Sequence, residues 1–114
     1  MHELSLARGL LDVVAAAAHQ HEAHRVTQVR VRIGSLAHVD PEALRLAFAA
    51  ASQGSIAQGA LLSLERPSGR AFCVPCGEEF DVKDRAAPCP RCDRHQWLLL
   101  HGEEMRVVDV EVEP

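Results

Sequence analysis

The sequence predicts an α/β (α+β) fold, a three-stranded sheet with two helices, interrupted by a small cysteine-bearing excursion. Three observations predict it. Two stretches repeat apolar residues at helical spacing, and two others alternate apolar with polar residues. The segment 67–99 does neither and holds all four cysteines of the chain. At 114 residues, the chain suffices for one compact domain with an appendage. It is too short for a two-domain enzyme with a cleft between its halves.

From Leu4 to Glu22, apolar residues fall at 4, 7, 11, 14 and 18, with a second stripe at 6, 10, 13 and 17. Arg8, Asp12 and Gln20 take the other side, as in an amphipathic helix. Gly9 weakens that helix by about 1 kcal/mol relative to alanine. Val26 to Ile33 then alternates, with Val29, Val31 and Ile33 against Gln28, Arg30 and Arg32, the pattern of a half-buried strand ended by Gly34. Asp40-Pro41 reads as an N-cap followed by proline in the first turn. The helix it opens uses Leu44, Ala47, Phe48 and Ala51 as its buried stripe and closes at Gly54. Leu61 to Glu65 is a second, short strand, and Pro67-Ser68-Gly69 marks a boundary. After Gly102 the tail sets Val108, Val110 and Val112 against Asp109, Glu111 and Glu113, and that apolar face requires a sheet. The economical arrangement pairs the tail with 26–33 and 61–65. Residues 1–66 plus 100–114 then form an α/β domain, with 67–99 as the excursion.

Composition narrows the function. Hydrophobic residues at 47% and charged residues at 25% describe a folded protein rather than a disordered or fibrous one. Aromatics are only 4%, with no tyrosine, so a stacking surface for bases is not expected. The net charge of −4 comes entirely from the tail, where Glu103, Glu104, Asp109, Glu111 and Glu113 face only Arg106. No segment offers phosphates a basic footprint, which speaks against nucleic-acid binding. Glu3, Arg8 and Asp12 interrupt any apolar leader, and no apolar run reaches membrane-spanning length. A cytoplasmic protein with reduced thiols is expected, and no membrane partner.

Cys73-Val-Pro-Cys76 and Cys89-Pro-Arg-Cys92 are two CxxC knuckles separated by twelve residues. Each tight turn presents two sulfurs to one cation, and two turns complete a tetrahedral four-sulfur shell. Gly77 permits the backbone angles such a knuckle needs. Structural zinc is the first reading, with a two-stranded ribbon running through Phe80 and Val82. Iron, a redox dithiol and simple buried cysteines are the competing ones. A closed shell has no open position for hydrolysis, and a ribbon by itself does not define function.

His2 offers a second kind of site. The amine of Met1, the deprotonated amide of His2 and its imidazole can share one plane, and square-planar nitrogen ligation suits Ni(II) or Cu(II). Glu3 follows, able to contribute its amide or its carboxylate. By position alone, a penultimate histidine is more often a solvated chain end. His19, His21 and His24 crowd the end of the first helix, where they complement its dipole. His101 is expected to face solvent.

Taken in combination, Met1-His2-Glu3-Leu4-Ser5, Val31-Arg32-Ile33-Gly34, Asp40-Pro41-Glu42, the CxxC pair and Val110-Glu111-Val112-Glu113 closely resemble the HypA/HybF family of hydrogenase maturation nickel chaperones. The resemblance runs through essentially the whole chain without a large insertion. Its most specific part is the opening Met-His-Glu in this combination. It implies a nickel-binding α/β domain interrupted by a zinc ribbon. Nickel would sit at His2, with the Met1 amine and Glu3 as contributors, and structural zinc on Cys73, Cys76, Cys89 and Cys92. It further implies a non-enzymatic role in receiving Ni(II) or passing it to the large-subunit precursor of [NiFe] hydrogenase, with a partner GTPase. Some members also feed urease. A further nickel ligand is not carried over, and His95 and His38 are the candidates. Two alternatives remain at this point. One is a zinc-ribbon nucleic-acid or transcription accessory module. The other is a small metal-dependent enzyme with His2 as ligand and Glu3 as base.

Overall fold

The computed structural model describes residues 2–114. The elements run α1 (Glu3–Gln20), β1 (Arg25–Ile33), α2 (Pro41–Ser52), β2 (Leu61–Glu65), β3 (Gly69–Cys73), β4 (Glu78–Val82), β5 (Trp97–His101) and β6 (Met105–Glu113). They make two three-stranded sheets, β2-β1-β6 and β4-β3-β5. The chain divides into two compact units, Met1–Val31 with Val39–Leu64 and Arg106–Pro114, and Arg32–His38 with Glu65–Met105.

In the first unit, α1 buries Ala7, Leu10, Val14 and Ala18. This line crosses from one sequence stripe to the other, and it leaves Leu4 and Val13 about half exposed, at 47% and 54%. The helix ends at Gln20, and Glu22 follows with a left-handed φ of 53°. Asp40 caps α2 as its sequence predicts: its side chain accepts from Glu42 N–H at 3.0 Å and Ala43 N–H at 3.4 Å, with proline in the first turn. Leu44 and Phe48 carry the buried stripe of α2, which packs on α1. Val29 and Val31 are fully buried, as alternation requires, and so is Val26, which is out of step with them. The alternation of β1 therefore shifts between Val26 and Val29.

The tail returns to β1, as its alternation predicts. His24 N–H donates to the Glu113 carbonyl at 2.9 Å, and the Thr27 hydroxyl donates to the Glu111 carbonyl at 3.2 Å. Arg30 pairs with Asp109. Yet no residue of β6 is fully buried.

The second unit holds more sheet than a two-stranded excursion. β3 pairs antiparallel with β4, setting Ala71 opposite Phe80, and with β5, setting Cys73 opposite Trp97. Leu98-Leu99-Leu100 hides the period-2 signal because all three are leucine; Leu98 and Leu100 are exposed while Leu99 is half buried. Leu36, Ala71, Cys73, Phe80, Val82 and Cys89 form the small core. Gly34 is obligatory beside it. A Cβ there would lie 2.0 Å from the Gly102 carbonyl oxygen, where Gly34 N–H reaches the Glu104 carbonyl at 2.8 Å.

Candidate metal centre

The four cysteines arrive from two matched turns. β3 delivers Cys73 at its last residue, and the chain turns through Val74 and Pro75 to Cys76. Gly77 then takes a φ of 68° and donates its N–H to the Cys73 carbonyl at 2.8 Å. The second knuckle repeats the device with a different residue. Asp93, directly after Cys92, takes a φ of 62° and donates its N–H to the Cys89 carbonyl at 2.8 Å. Glycine signals the first turn in the sequence. The second gives no such signal, although aspartate is among the few side chains that tolerate this region.

These turns bring all four sulfurs within 4.8 Å of one another. Cys73 Sγ lies 3.7 Å from Cys92 Sγ, and Cys76 Sγ lies 4.0 Å from Cys89 Sγ. A zinc–sulfur bond of about 2.3 Å sets a tetrahedral edge of about 3.8 Å, which these separations bracket. A disulfide would need about 2.05 Å, and all four are free thiols. The donor set and its spacing therefore fit zinc. Arg91, inside the second knuckle, pairs with Glu78, which follows the first, and ties the two turns together. Trp97 closes one side, its indole N–H donating to the Ala87 carbonyl at 2.9 Å and its ring meeting Phe80 edge-on at 5.9 Å.

The thiols are electrostatically unequal. Backbone N–H groups of Cys92, and further of Arg91, hold the Cys89 thiol at about 7 against the opposing effect of burial. The hydrogen bond with Cys92, reinforced by burial, pushes Cys76 up to about 12. Burial also raises Cys73. Cys89 thus gives up its proton most easily, while Cys76 and Cys73 hold theirs more tightly, the setting in which a dication displaces protons.

The nitrogen candidates lie elsewhere. His2 is exposed at the N-cap of α1 and makes no side-chain cap; its carbonyl accepts from Leu6 N–H at 3.0 Å. Glu3 opens the helix and accepts from the Asp40 N–H at 3.2 Å, which ties the chain start to the cap of α2. Met1 lies outside the described residues. His38 and His95 both belong to the second unit, and both are exposed. His95 Nε2 lies 2.5 Å from the Arg85 carbonyl oxygen, and its ring tilts against Trp97 at 5.0 Å. His38 lines an open pocket with Lys83, Asp84 and Arg85. Among the described residues, the four cysteines are the one group of three or more histidine, cysteine or acidic side chains close enough to share an ion. No described helix is long and apolar enough to cross a membrane.

Fold and site together define a small α+β metalloprotein type: a two-helix, three-stranded unit joined to a tetracysteine ribbon. Residues 1–112 match the family described as "Hydrogenase/urease nickel incorporation, metallochaperone, hypA". The chain is 42% identical over 113 residues to the hydrogenase maturation factor HypA of Dechloromonas aromatica, covering 99% of this chain and 100% of that one. It is 40% identical over 113 residues to hydrogenase maturation factor HypA 2 of Bradyrhizobium diazoefficiens, with the same coverage. The solution structure of the Ni metallochaperone HypA from Helicobacter pylori shares the fold, with a TM-score of 0.69 at 23% identity over 99% of this chain and 98% of that one. The chain belongs to the HypA family of hydrogenase maturation nickel metallochaperones.

Proposed function

We propose that the protein binds Ni(II) at its amino terminus and passes it to the large-subunit precursor of [NiFe] hydrogenase, while zinc in the tetracysteine ribbon serves structure. The observation that carries the reading is His2, exposed at the start of α1 with its imidazole spent on no cap, in a chain of this family. The terminal amine of Met1, the His2 amide and the His2 imidazole supply three nitrogens, and Glu3 contributes from its amide or stands beside the ion. The first N–H groups of a helix have no intrahelical acceptor, so deprotonating the His2 amide sacrifices no helical hydrogen bond. The same helix end disfavours a cation by about 0.3–1 kcal/mol. That opposition suits cargo that must leave again.

His95 is the stronger candidate for an added ligand. If its Nε2–H donates to the Arg85 carbonyl, the tautomer is fixed and Nδ1 is left as a free donor, the arrangement common around ligating histidines. His38 shares its pocket with Lys83, Asp84 and Arg85, where the two cations outnumber the one carboxylate, a setting less suited to a dication. The partners on this reading are a nickel-handling GTPase and the hydrogenase precursor, in the cytoplasm, with urease as a further client.

Isothermal titration with NiCl₂ tests the site. His2→Ala, and separately one residue added before Met1, should abolish stoichiometric nickel binding while zinc content stays at one per chain. Undiminished nickel binding by either variant refutes the terminal chelate.

A further inference from the structure

The unabsorbed feature of the first unit is the flank of α1 above β6. Val13, Ala17 and Ala18 of α1 and Val108, Val110 and Val112 of β6 line an open groove of about 490 Å³, with His21 and Asp109 at its rim. Val13 and Val112 remain 54% and 39% exposed there. β6 is the edge of its sheet, nine residues long against five for β2 at the opposite edge.

Layer widths explain the groove. Two packed helices, each about 10 Å across, form a layer about 20 Å wide. Three strands about 4.8 Å apart span only about 14 Å, whereas four span about 19 Å. On these widths a two-helix layer is broader than a three-stranded sheet by about one strand, and the groove lies beside β6. An acidic edge alone is an ordinary protection against sheet aggregation. An acidic edge beside an unfilled apolar slot one strand wide is a different object.

We infer that the α1–β6 flank is a docking site for an extended, basic segment of a partner protein, which adds to β6 as a fourth strand. Its alternate apolar side chains fill the slot under Val13 and Ala17, and its intervening lysines or arginines meet Glu111 and Glu113. Charge selects this occupant over a second copy of the chain. Pairing β6 with another β6 would set carboxylates of the two tails against each other, and like charges directly opposite destabilise a strand pair. A basic strand instead gains an opposite charge at each such position and covers the apolar groove. The inference is independent of whether nickel binds at His2.

The test uses the full zinc-loaded chain and two seven-residue peptides, one alternating lysine and valine and one alternating glutamate and valine, followed by amide NMR and hydrogen exchange. The lysine peptide should shift the amides of residues 105–113 together with Val13, Ala17 and His21, and slow exchange along β6. The glutamate peptide should do neither. Glu111→Lys with Glu113→Lys should weaken the lysine peptide about tenfold and admit the glutamate one. Val13→Glu, an exposed position that leaves the core alone, should block the slot. Equal binding of both peptides, shifts confined to other surfaces, or no binding at all overturns the inference. So do β6 shifts that follow the chain's own concentration without peptide, which would make a second copy the occupant.

Discussion

Removing zinc should unfold the ribbon unit and leave the helical unit standing. The core cluster around the ribbon has six buried side chains, and two of those, Cys73 and Cys89, belong to the metal cluster. What remains is Leu36, Ala71, Phe80 and Val82, too few to order residues 65–105 without a staple. Structural zinc in small peptides contributes about 10–16 kcal/mol at neutral pH, so an equal share per thiolate is about 2.5–4 kcal/mol. Cys76→Ala should therefore destabilise this unit by roughly that amount, and full chelation by more. The first unit has its own fully buried set, including Val14, Val26, Val29, Val31, Leu44 and Phe48, and does not depend on the metal. Trp97, the sole tryptophan, sits against the cluster and against Phe80, so its emission reports the ribbon alone. The assay is stepwise chelation followed by Trp97 fluorescence and by far-ultraviolet dichroism at the helical minimum. Emission should shift to the red in step with zinc release while the signal of α1 and α2 persists. Trp97 emission unchanged after complete zinc removal, or helical signal lost together with it, would refute the reasoning.

Two further outcomes follow from particular atoms. Zinc uptake near neutral pH should release protons, because Cys76 is held at about 12 and burial raises Cys73. Apparent zinc affinity then falls as pH falls, and calorimetry in buffers of different ionisation enthalpy measures the protons; a buffer-independent heat contradicts it. Gly34→Ala would push a Cβ to 2.0 Å from the Gly102 carbonyl oxygen, which is backbone and cannot swing aside. It should cost at least about 1–3 kcal/mol, read as a lower melting temperature by Trp97 fluorescence, and an unchanged melting temperature would count against the close approach.

Much of this was legible in the chain because the signals were local. Asp40-Pro41 announces α2, two CxxC motifs announce one cluster, and alternation announces β1 and β6. What stayed hidden depends on partners distant in sequence. α1 buries Leu10 and Val14 but exposes Val13, and that choice is made by what packs against the helix, since either apolar stripe would serve. β5 was concealed by three consecutive leucines whose alternation exists only in their burial. Asp93 takes a left-handed angle that nothing in its neighbourhood advertises; only its equivalence to Gly77 in the other knuckle reveals the need. Gly34 reads in sequence as a strand terminator, and its close approach to Gly102 is visible only in three dimensions.

The two proposed metal sites divide the labour by ligand chemistry. The cysteine cluster is shaped by its two turns: each knuckle fixes its first cysteine's carbonyl with the amide of a left-handed residue, and Arg91 of one turn pairs with Glu78 beside the other. Four soft donors at tetrahedral spacing suit a d¹⁰ ion without geometric preference and leave it no open position. The amino-terminal set is the reverse. Its donors would be nitrogens in one plane, its imidazole is exposed, and its neighbouring carboxylate accepts from the Asp40 amide. An ion that must be handed on is better held by donors that a partner can reach and displace, at a helix end that already opposes positive charge. On the proposed reading a single chain would hold one metal as part of its fold and carry another, because the Met1 amine and His2 share no donor with the cysteine cluster.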